Sequence, residues 1–413
     1  MSKESSVFFY RLLAALKGPL IMFLIVKYLT DIQQGEWFLF TSLGAITTLI
    51  DLGFGTMISN FIANASGSNS KRELLFLVGY TQRIYFILML IGGLLMTVIG
   101  YFSIASNLFI PYALYILANA LLLFASGKIV VLMGLNKVFE VHRAMSVGLV
   151  CSTVALFIMI SLGFALVALV ASIYVQAIVV ILSLRNQYKF KQEVHFSELN
   201  SEFKFYKNSI LNVYGKYALS WLSGFLIFNA YVPVISAKSG VVEAGKIGLL
   251  LAMFAASMNL ALTWSHSTSP KLANLIAKKE FSKALNLWRN ALIKGYAFFI
   301  ILIILIFSFY FIEFPFLEIR QKLPELNVAL SLSIIFLVRI YGSFSATWIR
   351  AQRMEKHTVI NVISGTLIFS TLYFPEYSNI AMPFILISLY SLVILIPVYF
   401  FIVKRNVKRL ICN

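Results

Sequence analysis

Charge is scarce in this chain, and negative charge is scarcer still. Only 12% of its 413 residues are charged, and Asp plus Glu number 16 against 34 Lys plus Arg. A soluble domain carries about a quarter charged residues. With 60% hydrophobic residues and a mean hydropathy of +0.88, this chain is too apolar for that class. Cysteine is nearly absent. Cys151 lies in an apolar segment and Cys412 is next to last, so there is neither a C-x-x-C pair nor a disulfide framework. No G-x-x-x-x-G-K-[ST] run is present, which excludes a built-in ATPase of that kind. No His/Cys/acid cluster has metal-ligand spacing. No cofactor or metal is expected, and no enzymatic activity.

What the chain does have is long apolar runs. They match the roughly 17–25 residues that cross a bilayer as a helix, and they are continuous rather than alternating, which excludes a β-barrel. The expected fold is all-α, polytopic, with about twelve transmembrane helices. The runs fall near 7–29, 36–61, 76–101, 108–133, 143–162, 164–184, 208–235, 247–268, 293–312, 327–349, 358–374 and 379–403. The N-terminal stretch "MSKESSVFFYRLLAALKGPL" has no small-residue cleavage site after a short apolar core, and reads as the first span rather than a removable signal.

Basic residues test this map, because Lys and Arg concentrate in cytoplasmic loops. With twelve spans, one set of loops and tails collects most of them. The opposite side holds only Lys27, Lys238, Lys246, Arg320 and Lys322. Both termini are therefore expected in the cytoplasm. The net charge of +18 is spread over many short loops, which suits contact with anionic membrane lipids and not nucleic acid.

The chain also echoes itself. "FFYRLL" (8–13) resembles "KFYKNS" (204–209), and "FIANASGSNSKREL" (61–74) resembles "KLANLIAKKEFSKA" (271–284). "GLNKVFEVHR" and "RAQRMEKH" end the fourth and tenth spans alike. The order is the same in both halves. It suggests an N-terminal six-helix bundle (1–190), a cytoplasmic linker (191–207) and a C-terminal six-helix bundle (208–413) around a central cavity. Internal repeats of this kind are a transporter habit, with the site at mid-membrane.

Three bases fall deep in span interiors, roughly 12–18 Å from the nearer helix end at 1.5 Å per residue: Lys17, Lys216 and Arg339. Such residues cost about 2.5–3.5 kcal/mol each on insertion scales, and face protein or water rather than lipid. The single interior acid is Asp51. Lys17 and Asp51 are candidates for an ion pair or a coupling site. No acid falls within the spans of the second half to meet Lys216 and Arg339, so these are expected to meet a hydrated cavity or an anionic cargo. Ser209, Asn212, Lys216, Ser220 and Ser223 lie on one helical face, which makes Asn212 and Ser220 candidate cargo contacts beside the three bases. Gly18 and Pro19 follow Lys17 directly and are hinge candidates. In "DLGFG" (51–55), Gly53 and Gly55 would let a neighbouring helix come close.

"GEWFLFTSLGAITTLIDLGFGTMISNFIA" (35–63) resembles the second span of the polysaccharide flippases of the multidrug/oligosaccharidyl-lipid/polysaccharide exporter superfamily, the O-antigen (Wzx-type) flippases above all. "VLMGLNKVFEVHR" (131–143) and "STSPKLANLIAKKEFSKAL" (267–285) resemble later span exits of that family. The resemblance implies a bacterial inner-membrane protein moving an undecaprenyl-diphosphate-linked oligosaccharide to the periplasmic leaflet by alternating access. It implies polysaccharide polymerase and chain-length proteins as partners. It also implies a cationic cavity, which agrees with Lys17, Lys216 and Arg339.

Two other classes compete. A drug or cation antiporter of the same superfamily wants acids in its cavity, whereas the interior count here is three bases to one acid. A membrane glycosyltransferase or polymerase wants a sizeable external loop, and the external loops are short.

Overall fold

A computed structural model of the chain describes residues 17–18, 20–67, 71–185, 215, 218–219, 222–227, 229–311, 317–352, 357–377 and 379–412. The fold is all-α, of a polytopic membrane type with about 12 helices. Among the described residues, eight helices are long and apolar enough to cross a membrane. The chain is thus a multi-pass membrane protein.

The first half runs through α1 (20–28), α2 (Asp31–Leu49), α3 (Phe54–Gly67), α4 (Lys71–Ser103), α5 (Phe109–Gly134), α6 (Val138–Ser161) and α7 (Ala165–Arg185). The second runs through α8 (Tyr231–Ser239), α9 (Val241–Ala261), α10 (Thr263–Ala277), α11 (Phe281–Phe311) and the short α12 (Leu317–Gln321). It ends with α13 (Leu326–Arg350), α14 (Thr358–Tyr373), α15 (Met382–Tyr390) and α16 (Ile396–Cys412). The halves follow a similar order. A helix interrupted near its middle (α2/α3, α9/α10) precedes a helix of 33 or 31 residues (α4, α11).

Local chemistry sets the boundaries. Thr30 and Gln33 form a reciprocal capping box at the start of α2, with bonds of 3.3 and 3.1 Å. The three-residue turn expected at 161–163 is a Schellman motif. Gly163 has φ +86, its N–H donates to Ile160 O, and Phe164 N–H donates to Met159 O. The same bond pattern closes α10, but there Lys279 takes the left-handed position at φ +60.

One span departs from expectation. Residues 36–61 were read as a single helix, yet the structure breaks it between α2 and α3. Leu52 at φ +47 and Gly53 at φ +77 turn the backbone left-handed, which an α-helix cannot carry through. The last span also departs, more gently, through a π-turn at Ser391–Leu395. Pro397 has no N–H to offer the ladder, and Ile396 N–H reaches back to Ser391 O instead.

Two compact units emerge among the described residues. Lys17 belongs with the segment Tyr28–Pro233, and Gly18–Lys27 belongs with the segment from Val234 onward. The divisions fall between Lys17 and Gly18, between Lys27 and Tyr28 at the end of α1, and inside α8. The linker expected at 191–207 lies outside the described residues. In the first unit the core gathers Phe54, Ile58, Ile62, Leu77, Tyr85 and Val131 from α3, α4 and α5. A second cluster joins α5, α6 and α7 through Leu132, Val141 and Val180. In the second unit Val338, Leu395 and Tyr399 pack α13 against the last span. Phe102 and Phe311, 82% and 70% exposed, lie on apolar faces suited to acyl chains.

Candidate functional site

Lys17 enters the first unit on the groove between α6 and α7. Its Nζ donates to Ser152 Oγ at 3.1 Å and to Gln176 Oε1 at 3.5 Å. Ser152 is fully buried, and its one hydroxyl hydrogen is spent on Leu149 O at 2.9 Å, so only lone pairs remain for the ammonium. α6 and α7 come this close because Gly148 faces Val180 and the Gln176 carbonyl. Among the described residues no carboxylate lies within ion-pair distance of Lys17. The lysine is therefore a cation in an apolar helix bundle, held by neutral acceptors.

Asp51 does not form the ion pair with Lys17 that the sequence left open. It sits at the break between α2 and α3. Its Oδ1 accepts from Gly55 N–H at 2.9 Å, and its Oδ2 accepts from the Tyr85 hydroxyl at 2.6 Å. The carboxylate thus serves an orphan N–H at the start of α3 and ties the break to α4. The glycines divide the labour. Gly53 supplies the positive φ, while Gly55 leaves room for Tyr85 and Val130, which a Cβ would strike.

In the second unit Arg339 lies on α13 with its guanidinium over the Phe336 ring, 5.6 Å from the centroid. Phe336 in turn stacks on Phe254 at 5.5 Å. Around the same stretch of α13 runs a set of buried polar contacts. Ser345 Oγ meets His357 Nε2 at 3.0 Å, Trp348 Nε1 donates to Asn406 Oδ1 at 3.0 Å, and Trp288 Nε1 donates to Phe344 O at 2.9 Å. Tyr399, carried past the π-turn, donates to Asn361 Oδ1 at 3.4 Å.

Gly18 is described, and a Cβ there would meet Ala256 at an ordinary 3.6 Å. Lys216, Asn212, Ser220 and Pro19 lie outside the described residues. Of the polar face expected on the seventh span, Ser223 is described, and it returns its hydroxyl to Leu219 O at 2.6 Å. Sequence reasoning missed Ser152, Gln176 and Tyr85. Gln176 alone carried a signal, as an amide in the otherwise apolar run of α7.

No family model matches the chain, and no curated protein matches it. Solved structures do match. A multidrug resistance MATE family transporter of the MOP superfamily in its inward-facing conformation superposes with a TM-score of 0.71 at 14% identity, covering 98% of this chain and 96% of that one. The outward-facing conformation of such a transporter gives 0.60 at 16% identity, covering 100% and 98%. A MOP superfamily transporter from Pyrococcus furiosus Vc1 (DSM3638), described as having a binding pocket of reverse polarity that suggests a different function, gives 0.55 at 15% identity and covers 96% of each chain. The fold of this chain is that of the MOP superfamily transporters.

Proposed function

We propose that the chain is an alternating-access membrane transporter whose cargo carries negative charge. The cargo that fits best is an undecaprenyl-diphosphate-linked oligosaccharide, moved from the cytoplasmic to the periplasmic leaflet of a bacterial inner membrane, with both termini in the cytoplasm. The observation that carries this reading is Lys17, an interior ammonium held by Ser152 and Gln176 with no carboxylate beside it among the described residues. A lysine at such depth costs about 2.5–3.5 kcal/mol. One unit of negative charge brought within about 4 Å gains about 4 kcal/mol at an effective dielectric near 20. An anionic cargo therefore offsets the cost of the site, and a cationic one adds to it. Arg339, and Lys216 by its sequence position, have the same sign. The neighbour with a pocket of reverse polarity supports the idea that this fold accommodates cargoes of different charge.

A second reading is drug or cation antiport. It is favoured by the multidrug transporters among the structural neighbours, and Asp51 would be its acid. Reconstituted protein separates the two. Leaflet exchange of a labelled lipid-diphosphate oligosaccharide, lost in Lys17→Ala and kept in Asp51→Asn, supports the anionic cargo. Efflux of an organic cation driven by a proton gradient, lost in Asp51→Asn and kept in Lys17→Ala, overturns it in favour of antiport.

A further inference from the structure

Helix ends of the second unit enclose a recess of about 1020 Å³ that none of the reasoning above uses. This exceeds the roughly 300–1,000 Å³ usual for small-molecule pockets. Three of the five bases expected on the outer side of the membrane, Lys238, Lys246 and Arg320, line it. So do three carboxylates, Glu243, Glu325 and Glu376. The wall therefore has no net charge.

The hydrogen-bond inventory is mixed as well. Lys246 is paired with Glu243 at 2.7 Å, and Lys238 donates to the Pro375 carbonyl at 2.7 Å. Tyr310 spends its hydroxyl hydrogen on Pro324 O, and Tyr377 spends its own on Thr371 O, both at 3.0 Å. Each phenol oxygen keeps lone pairs for accepting. Glu325 and Glu376 are exposed, and neither carboxylate makes a hydrogen bond or ion pair among the described residues. Each lysine has three N–H groups and keeps some for a ligand, so the wall offers donors as well as acceptors, beside two tyrosine rings and apolar residues that include Leu323 and Pro383. A ligand suited to this wall both donates and accepts hydrogen bonds, carries no net charge and has a flat apolar face. Hydroxyl-rich sugar rings have those properties. A phosphate would meet three carboxylates as well as the three bases.

We propose that this recess is a docking site for the neutral, hydroxyl-rich part of a glycan, on the side of the membrane where the cargo is released. The proposal rests on the reading of the cargo as a lipid-linked oligosaccharide. The test uses the full chain in lipid nanodiscs and saturation-transfer NMR with chitobiose, lactose and maltose, against inorganic phosphate and tetraphenylphosphonium. At least one disaccharide binds, and Glu376→Gln and Glu325→Gln each weaken it about tenfold, since each replaces a charged acceptor oxygen with a donor. Tyr377→Phe, which keeps the ring, weakens it less. Binding of tetraphenylphosphonium alone, lost in Glu376→Gln, overturns the proposal in favour of a cation site. Binding of phosphate alone, or of no probe, also overturns it. Exchange of lipid-linked oligosaccharide without disaccharide binding overturns the recess and leaves the proposed function standing. Disaccharide binding without any exchange does the reverse.

Discussion

The bond between Asp51 and Tyr85 is the sharpest test of how this fold holds a broken helix in an apolar setting. Tyr85 is fully buried and its hydroxyl lies 2.6 Å from Oδ2. Interhelical hydrogen bonds in membranes average about 0.6 kcal/mol and reach about 1.7. A bond to a carboxylate is roughly twice as strong as a neutral one. The expected coupling between the two side chains is therefore about 1–2 kcal/mol. Tyr85→Phe removes that bond and keeps the ring. Asp51→Ala removes it and also strips the acceptor from Gly55 N–H, a capping loss of about 0.5–2 kcal/mol; its total cost is about 2–4 kcal/mol. The double variant should cost less than the sum of the two by the coupling energy. Reversible unfolding of the purified chain in mixed micelles measures all four corners of the cycle. Asp51→Asn is a useful fifth, because its amide oxygen can still serve Gly55 N–H without the charge. A coupling below about 0.5 kcal/mol would refute the claim that the carboxylate fastens the break to α4.

Other outcomes follow from single contacts. Lys17→Ala and Arg339→Ala should leave the protein inserted at native levels and impair export of surface polysaccharide; normal polysaccharide in both would remove the bases from cargo handling. Exchanging Lys17 and Asp51 for one another should fail to restore transport, because their partners differ: Ser152 and Gln176 for one, Gly55 and Tyr85 for the other. Lys279→Gly should stabilise the chain by about 1 kcal/mol in the same unfolding assay, since it relieves a lysine held at φ +60. Gly18→Ala fits its surroundings, with Ala256 at 3.6 Å; it should leave stability nearly unchanged and slow transport if the chain bends there, as leaflet exchange would report.

Depth in the membrane is a one-dimensional property, and it was legible. Apolar run length located α4, α5, α6, α7, α11, α13 and α14 to within a few residues at most ends, although α11 begins well before its apolar run. The turn at 161–163 was legible for the same reason, because a glycine between two apolar runs has few roles. Pairing is different, because it depends on how each helix is rotated and on which helices are neighbours. Lys17 finds acceptors 135 and 159 residues away. Nothing in the local sequence of "AALKGPL" points to Ser152, a common residue in any span. The ion pair with Asp51 was attractive because the two are the interior base and the interior acid of consecutive spans in the same half. The structure favours other partners because Asp51 sits where the backbone reverses hand. There the first N–H groups of α3 lack intrahelical acceptors, and a carboxylate four residues before Gly55 is already in place to serve one of them. The motif "DLGFG" carried that information all along: an acid, a positive-φ glycine and a second glycine too crowded for any side chain form the start of a helix, not the middle of one. Read as a cap, the motif predicts both the break and the loss of Asp51 as a counter-ion. Lys17 then has no carboxylate beside it among the described residues, and its charge is left to the neutral acceptors Ser152 and Gln176.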